Sequence, residues 1–427
     1  MELLKNTLSK VSYALVDPTY CTILVVLGFI FYVKNKKSSR VEYMIMGEKN
    51  ISAFELTISQ IVIGIFGGIL ASIMISFLGI TFNATSNIYI IFWISIILMM
   101  LNPRFICLSY SSAVYGIISI IVSFVIKGTS GDIINIFDID IMNLLALVGV
   151  MHFVEGILVI IDGKRGAIPV FGNRNNQIVG GFILKRFWAT PIVLLMVIAA
   201  SSDVTGIIIK TPEWWPILNH TQNKTLFETL AISALPIYSV IGYNAATFTK
   251  TKEKKALSSG IYILFYGLIL ILISPLAHLG VIMQVILLIL MPTMHEGMLN
   301  IQRKKEVNDE PIYVSDSEGI MILDVAKNSF GEKIGLKSRD IILMINDIKM
   351  YTDEHIFKFM EEVPEKLSME IKRGKDIISI NEVVKGKIRP GIVIVPREFP
   401  NKSKIVKMNK NFDEVLNKVR NREKSDK

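Results

Sequence analysis

Long apolar runs separated by short polar connections make up the first three quarters of the chain. A helix needs about 20 apolar residues to cross the hydrocarbon core of a bilayer. Residues 260–291 are too long for one span, so we expect a tight hairpin of two segments, or a re-entrant pair, around Ser274-Pro275. The pattern predicts about nine crossings, or about eight if the short first run only lies on the membrane. The runs are 20–33, 56–80, 88–101, 105–126, 141–161, 188–209, 226–248 and 260–291.

The positions of Lys and Arg predict the orientation of these crossings. Basic residues follow the first run, occupy the loop 162–187, follow residue 248 and recur at 303–305. Because Lys and Arg accumulate in cytoplasmic loops, these connections are expected inside the cell. The N-terminus is then outside with nine crossings, or inside with eight, and the C-terminal region is cytoplasmic in both cases.

Composition favours the same class of protein. The 427 residues are 51% hydrophobic and only 19% charged, and the mean hydropathy is +0.49. These values are typical of a polytopic membrane protein. The net charge of +9 is concentrated in the connections and the tail, which indicates a lipid bilayer as partner and no nucleic acid.

The run 56–80 is rich in glycine, at Gly64, Gly67, Gly68 and Gly79. Small residues at such spacing let neighbouring helices approach closely. A phosphate-binding loop would also need a Gly-Lys-Ser/Thr ending, which this run lacks. Helix packing is therefore the expected role of these glycines.

An intramembrane metalloprotease is the enzyme class to which this sequence comes closest. Its zinc site requires His-Glu-x-x-His on one helix. His295-Glu296 is followed by Gly-Met-Leu, so the second histidine is missing.

Two further groups of ionisable residues lie in or beside the apolar runs. His152 and Glu155 are one turn apart within the run 141–161, and either a functional pair or a polar pair bonded to another helix would account for them. Cys21 and Cys107 form neither a disulfide framework nor a metal-type pair. We expect no catalytic residue, no cofactor and no metal ligand.

The pattern changes after residue 311, where short apolar runs alternate with turn formers. The stretch 319–347 contains two strand-length runs, at 319–325 and 340–345, separated by a short helical segment that ends at Gly335-Leu336. This order resembles the middle of a PDZ domain, whose usual bacterial sequence has Gly where this chain has Arg339. The resemblance implies a small α/β domain that binds peptides.

The expected peptide groove lies downstream of that stretch. A PDZ domain adds a partner's C-terminus to a sheet edge, beside a helix. The residues before Gly319 are too few to supply that edge strand, so the strand is expected at 389–395 and the domain is expected to be circularly permuted. The facing helix is expected at 353–363, with Thr352 as its N-cap. The candidate peptide-binding residues are Arg389, Pro390, Gly391, Ile392, Val393 and Ile394 on the strand side, and His355, Ile356 and Phe359 on the helix side; a sheet strand without a ligand is the alternative.

A polytopic membrane part followed by one cytoplasmic PDZ domain resembles the MinJ family of division-site topology adaptors of Gram-positive bacteria. Residues 151–156, 162–171 and 178–182 look like that family's central span and cytoplasmic loop. The resemblance implies a scaffold that bridges the curvature-sensing protein DivIVA and the ATPase MinD.

The expected architecture is an α-helical polytopic membrane domain of about eight or nine spans followed by a small α/β PDZ domain. The expected domains are a multi-pass part at 1–300, a juxtamembrane linker at 301–311, the PDZ domain at 312–397 and a basic tail at 398–427. The expected function is that of a non-enzymatic scaffold that binds protein partners, with a homo-oligomer left open. The alternative is an intramembrane protease or a protease-associated membrane protein.

Overall fold

The structure is a computed structural model that describes residues 2–47, 51–83, 86–102, 105, 107–125, 137, 139–199, 214–218, 230–350 and 353–398. The chain divides into two compact units. The first comprises Met1–Val170 and Gly181–Ile312, and the second comprises Phe171–Gly180 and Tyr313–Lys427. The basic tail predicted after residue 398 lies outside the described residues.

The first unit is mainly helical in its described part. Asp17 accepts hydrogen bonds from the amides of Thr19 and Tyr20 and so caps the second helix, which begins at Pro18. Ser52 caps the third helix in the same way. The helices are α1 (Glu2–Val16), α2 (Pro18–Met46), α3 (Ala53–Leu78), α4 (Ile90–Leu101), α5 (Leu108–Val125), α6 (Ile141–Asp162), α7 (Lys252–Ile273) and α8 (Val281–Asn308).

Several of these helices are long and apolar enough to cross a bilayer. Among the described residues there are six such helices, namely α2, α3, α5, α6, α7 with the 3-10 segment that follows it, and α8. Many large apolar side chains on them are exposed, for example Phe29, Phe124 and Ile282. Such surfaces are unfavourable in water and favourable against lipid tails, so these helices are consistent with a membrane protein.

The hairpin predicted within 260–291 is present, but its two segments are longer than expected. α7 passes into a 3-10 segment at Ser274–Leu279, which contains Pro275 near its start. Gly280, at φ 118°, then adopts a conformation that other residues rarely take, and α8 begins at Val281. The two helices have 22 and 28 residues, respectively.

The spans predicted at 188–209 and 226–248 were wrong where the structure describes them, because these residues form β-strands. Strands β2 (Ile168–Arg174), β3 (Gln177–Ala199) and β4 (Leu230–Thr247) belong to one sheet with the short β1 (Thr81–Asn83). β3 and β4 pair antiparallel from Phe182↔Thr247 to Ala199↔Leu230. Pro191 and Pro236 lie inside the two runs, where proline disfavours a helix.

Glycines mediate the closest packing in the first unit. A Cβ on Gly149 would lie 2.8 Å from the carbonyl oxygen of Gly267, and one on Gly156 would lie 2.7 Å from that of Gly260, so α6 and α7 are in backbone contact. A Cβ on Gly64 would lie 2.2 Å from the carbonyl oxygen of Ala189. The packing role predicted for the glycines of α3 is therefore confirmed at Gly64, although its partner is strand β3 and not a helix.

Arg186 was expected in a polar cytoplasmic loop, and the structure instead buries it within β3, 1% exposed. Its guanidinium forms an ion pair with Asp162 at the end of α6 and donates a 2.7 Å hydrogen bond to Ser59 of α3. The indole of Trp188 donates to the same carboxylate at 2.8 Å. A buried charge is tolerated when it is paired and hydrogen-bonded in this way, and the network joins α3, α6 and β3.

The second unit is a small α/β domain. Its strands β5 (Ile320–Val325), β6 (Ile341–Ile345), β7 (Ile348–Lys349), β8 (Lys366–Arg373), β9 (Asp376–Val383) and β10 (Ile392–Ile394) form one sheet in the order β10-β5-β6-β8-β9, with β7 beside β6. Two helices, α9 (Phe330–Lys333) and α10 (Asp353–Glu361), accompany the sheet. Alternate strand residues such as Ile320, Ile322 and Ile342 form the core together with the apolar face of α10.

Candidate peptide-binding site

Strand β10 lies at one edge of the sheet in the described part of the second unit. It pairs antiparallel with β5, with Ile392 opposite Val325 and Ile394 opposite Ile322. Ala326 donates to the carbonyl of Gly391, and Val395 donates to the carbonyl of Met321, both at 2.8 Å. In this antiparallel pattern Ile392 and Ile394 turn their own N–H and C=O groups away from β5. These groups therefore face the edge of the sheet that has no partner strand among the described residues. An extended peptide can add to an edge of this kind as a further strand.

Both faces of β10 are covered, and all three residues of the strand are buried. Ile392 and Ile394 belong to the same core as Ile356 and Phe359 of α10. Val393 and Val395 point to the opposite face and are also buried. The apolar side chains of β10 therefore fix the strand in place, and a ligand would be bound through the backbone of the strand.

Helix α10 runs antiparallel to β10. The amide of Val363, just after the helix, donates to the carbonyl of Ile388 at 2.9 Å. At the other end, Asp353 accepts a 2.7 Å hydrogen bond from the amide of Arg397 and pairs with its guanidinium at 3.4 Å. The beginning of β10 is thus fixed near the end of α10, and the end of β10 is fixed near the helix start.

The segment before β10 is the predicted carboxylate-binding loop. Gly391 has φ 65°, a left-handed conformation that glycine adopts without strain, and such backbone turns can direct successive N–H groups toward an anion. The carbonyl of Pro390 accepts a 2.8 Å hydrogen bond from Gly331 of α9, which holds the segment in position. Arg389 is exposed and adds a positive charge at this end of the strand.

The residues predicted on the helix side have different environments. His355 is exposed, whereas Ile356 and Phe359 are 0% and 3% exposed. That His355, Ile356 or Phe359 contacts a peptide stays a prediction. The predicted N-cap, Thr352, lies outside the described residues. Phe357 and Met360 are half-buried and pack against the core. Neither was predicted from the sequence, although their position on the apolar face of a short helix could have indicated them.

The stretch 319–347 forms the structural centre of this unit. Arg339, where a glycine was expected, has φ 75°. Asp340 next to it is 1% exposed and accepts hydrogen bonds from Nε and Nη2 of Arg373 at 2.8 and 2.7 Å. The hydrogen bond with Asp340 raises the pKa of Arg373, and this bidentate pair joins the residue before β6 to β8.

A second polar cluster lies in the first unit and was not predicted. Cys107 precedes α5, His152 is on α6 and His295 is on α8. Their Sγ and ring nitrogen atoms all lie within 4.8 Å of one another. Because three separate elements supply these side chains, no local motif in the sequence joins them.

Comparison with known families identifies one part of the chain. Residues 321–373 match the family model of the PDZ domain. This match extends from β5 to β8 and does not reach β10. No curated protein and no solved structure matches the chain. The C-terminal region therefore contains a PDZ domain, and such domains bind protein partners.

Proposed function

We propose that this protein is a non-enzymatic membrane scaffold whose PDZ domain is circularly permuted, with β10 as its peptide-binding strand. The position of β10 at the edge of the sheet, antiparallel to α10, is the observation that carries this proposal. The PDZ match at 321–373 supports the binding class, and the six long apolar helices support the membrane attachment.

The geometry implies one orientation for the peptide. Its terminal carboxylate would lie at Gly391, where Arg389 adds positive charge, and the peptide would run antiparallel to β10. Because the end of α10 lies beside this point, the last side chain of the peptide would face Met360 and Val363. Side chains alternate along a strand, so the residue two positions earlier would lie further toward the helix start, near His355.

Peptide binding by the full chain in detergent micelles tests this arrangement. Fluorescence anisotropy would identify a binding C-terminal peptide from a library, and each hit would be compared with its C-terminally amidated form. Arg389→Ala should weaken binding of the free acid about tenfold, by about 1.4 kcal/mol, because a charge-assisted contact is lost. It should leave the weaker amide form nearly unaffected, and Lys385→Ala, which removes an exposed cation on the same connection, should change neither.

Hydrogen exchange would locate the bound peptide. Slower exchange of the amides in 391–395 supports the groove at β10. Protection of 319–322 with no change in 391–395 would contradict the permuted arrangement, even if binding itself is observed.

We further propose that the scaffold acts in division-site selection and bridges DivIVA-like and MinD-like proteins. This finer assignment is supported by the resemblance of residues 151–156, 162–171 and 178–182 to the MinJ family. A PDZ domain held at the membrane by a multi-helix part suits a bridge between two proteins that act at the membrane.

A further inference from the structure

The cluster of Cys107, His152 and His295 has the dimensions of a metal site. The Sγ atom of Cys107 lies 3.1 Å from Nε2 of His152 and 3.6 Å from Nε2 of His295. Two ligands of a tetrahedral zinc ion, one sulfur and one nitrogen, lie about 3.5 Å apart, given Zn–S and Zn–N bonds of about 2.3 and 2.0 Å. Small adjustments of these side chains would therefore admit an ion between them.

The hydrogen bonds of the two imidazoles prepare both for metal binding. Nδ1 of His152 lies 2.8 Å from the carbonyl oxygen of Val148, which can only accept, so Nδ1 carries the proton. Tyr110 donates its hydroxyl proton to Glu296 and is left to accept from Nδ1 of His295 at 3.2 Å. With Nδ1 engaged in this way, the Nε2 atom of each ring is the one directed toward Cys107. Outer hydrogen bonds of this kind fix the tautomer of histidine ligands.

One cysteine side chain faces both imidazole rings in this cluster. The Cys107 thiol has one proton and can donate to only one of the two Nε2 atoms. Ser109 also approaches His152, at 3.4 Å, but its hydroxyl is closer to that of Tyr266, at 2.8 Å. Tyr266 donates its own proton to the carbonyl of Met291, so Ser109 donates to Tyr266. Both Nε2 atoms therefore depend on Cys107 as their shared partner, and His152 and His295 are only 2% and 9% exposed.

The local charges also suit a divalent cation. A carboxylate oxygen of Glu155 lies 4.0 Å from Nε2 of His152. Glu296 lies on the other side of the cluster, where it accepts from the Tyr110 hydroxyl beside His295. Two acidic side chains therefore flank the cluster, and acidic side chains favour a cation between them. His295 lies roughly 12 Å along the helix from Arg303, at 1.5 Å per residue, so the site would be in the half of α8 nearest its basic end.

We propose that Cys107, His152 and His295 bind a divalent transition metal of the zinc class, with Glu155 as a carboxylate beside His152. Imidazole and thiolate together select such ions over Mg²⁺ and Ca²⁺. The ion would join the segment before α5 to α6 and α8, which are far apart in sequence. This site is independent of the peptide groove, so failure of either proposal leaves the other standing.

Metal analysis of the purified full chain in detergent tests the proposal. After zinc loading and removal of loosely bound ions, we expect about one zinc ion per chain. Loading with Co²⁺ should give a thiolate-to-cobalt charge-transfer band. Cys107→Ser should abolish this band, and His152→Ala or His295→Ala should weaken cobalt binding at least about tenfold.

Matched controls are available in the same chain. Cys21→Ser and His278→Ala change a cysteine and a histidine outside the cluster and should leave cobalt binding and the band unchanged. The proposal fails if the native chain retains no zinc and shows no thiolate band with cobalt, a result that needs no variant to fold. It also fails if Cys107→Ser keeps the band, or if Cys21→Ser removes it.

Discussion

Arg339 shows how one residue can depart from a family pattern without changing the fold. The position has φ 75°, and a side chain with a Cβ adopts the left-handed region at a cost of about 1–2 kcal/mol. The amide of Arg339 donates to Ile322 at 2.8 Å, so the turn is held in this conformation by β5. The glycine expected at this position is thus explained by backbone geometry, and the chain tolerates arginine because the surrounding strands determine the turn.

Replacing Arg339 with glycine should stabilise the second unit. We expect a gain of about 0.5–1 kcal/mol, because relief of the backbone strain exceeds the larger entropy of glycine in the unfolded chain. Urea titration of the full chain in detergent, followed by pulse proteolysis of the C-terminal unit, measures the change. Arg339→Ala keeps the strained φ and should show no gain; equal stabilisation by both variants would mean that the arginine side chain, and not the backbone, is unfavourable.

At the scale of elements, the contact between α6 and α7 depends on paired glycines. A Cβ on Gly267 would lie 2.4 Å from the backbone nitrogen of Phe153 and 2.5 Å from the carbonyl oxygen of Gly149. Backbone atoms cannot move aside as a flexible side chain can, so the two helices would have to separate.

Gly267→Ala should therefore destabilise the first unit by about 1–3 kcal/mol. Gly297 offers a matched control, since it also lies in a long apolar helix and a Cβ there would meet nothing within 4 Å. Gly297→Ala should be neutral or slightly stabilising, because alanine favours a helix over glycine by up to about 1 kcal/mol. Thermal unfolding of both variants in detergent distinguishes them, and similar losses in the two would show that the close contact is not what limits stability.

Helices and strands could be predicted where turn-forming residues mark their ends. The strands of the second unit are short apolar runs bounded by Gly, Asn and Pro, and this pattern revealed β5, β6 and β10. Strands β3 and β4 were missed because hydropathy alone cannot distinguish an apolar strand from an apolar helix. Pro191 and Pro236 were the local signal against helices there.

The cluster of Cys107, His152 and His295 could not be predicted, because its members are far apart in the sequence. Cys107 is separated by 45 residues from His152 and by 188 residues from His295. The motif His-Glu-x-x-His places both histidines on one helix. His152 and His295 lie on two different helices, α6 and α8, so this motif cannot reveal the pair. The edge strand β10 could be predicted, because the residues before Gly319 are too few to supply that strand.

For the whole molecule, the proposed scaffold requires that membrane attachment and peptide binding act together. The first unit supplies helices able to cross a bilayer, and the second supplies a sheet edge at β10. If division-site partners recruit the protein through that edge, its position in the cell should depend on Arg389 while its membrane attachment should not.

A fluorescent fusion of the full chain should gather at septa and poles, and deletion of the gene should misplace division. Arg389→Ala should spread the fusion evenly over the membrane, because it weakens peptide binding without altering the apolar helices. Lys385→Ala, the matched surface change, should leave the septal pattern intact. Fluorescence microscopy with a membrane dye measures the ratio of septal to lateral signal. Even labelling by the unaltered fusion, together with normal division in the deletion strain, would exclude the division role. Peptide binding by the PDZ domain would not be affected by that result, because the anisotropy measurement tests it separately.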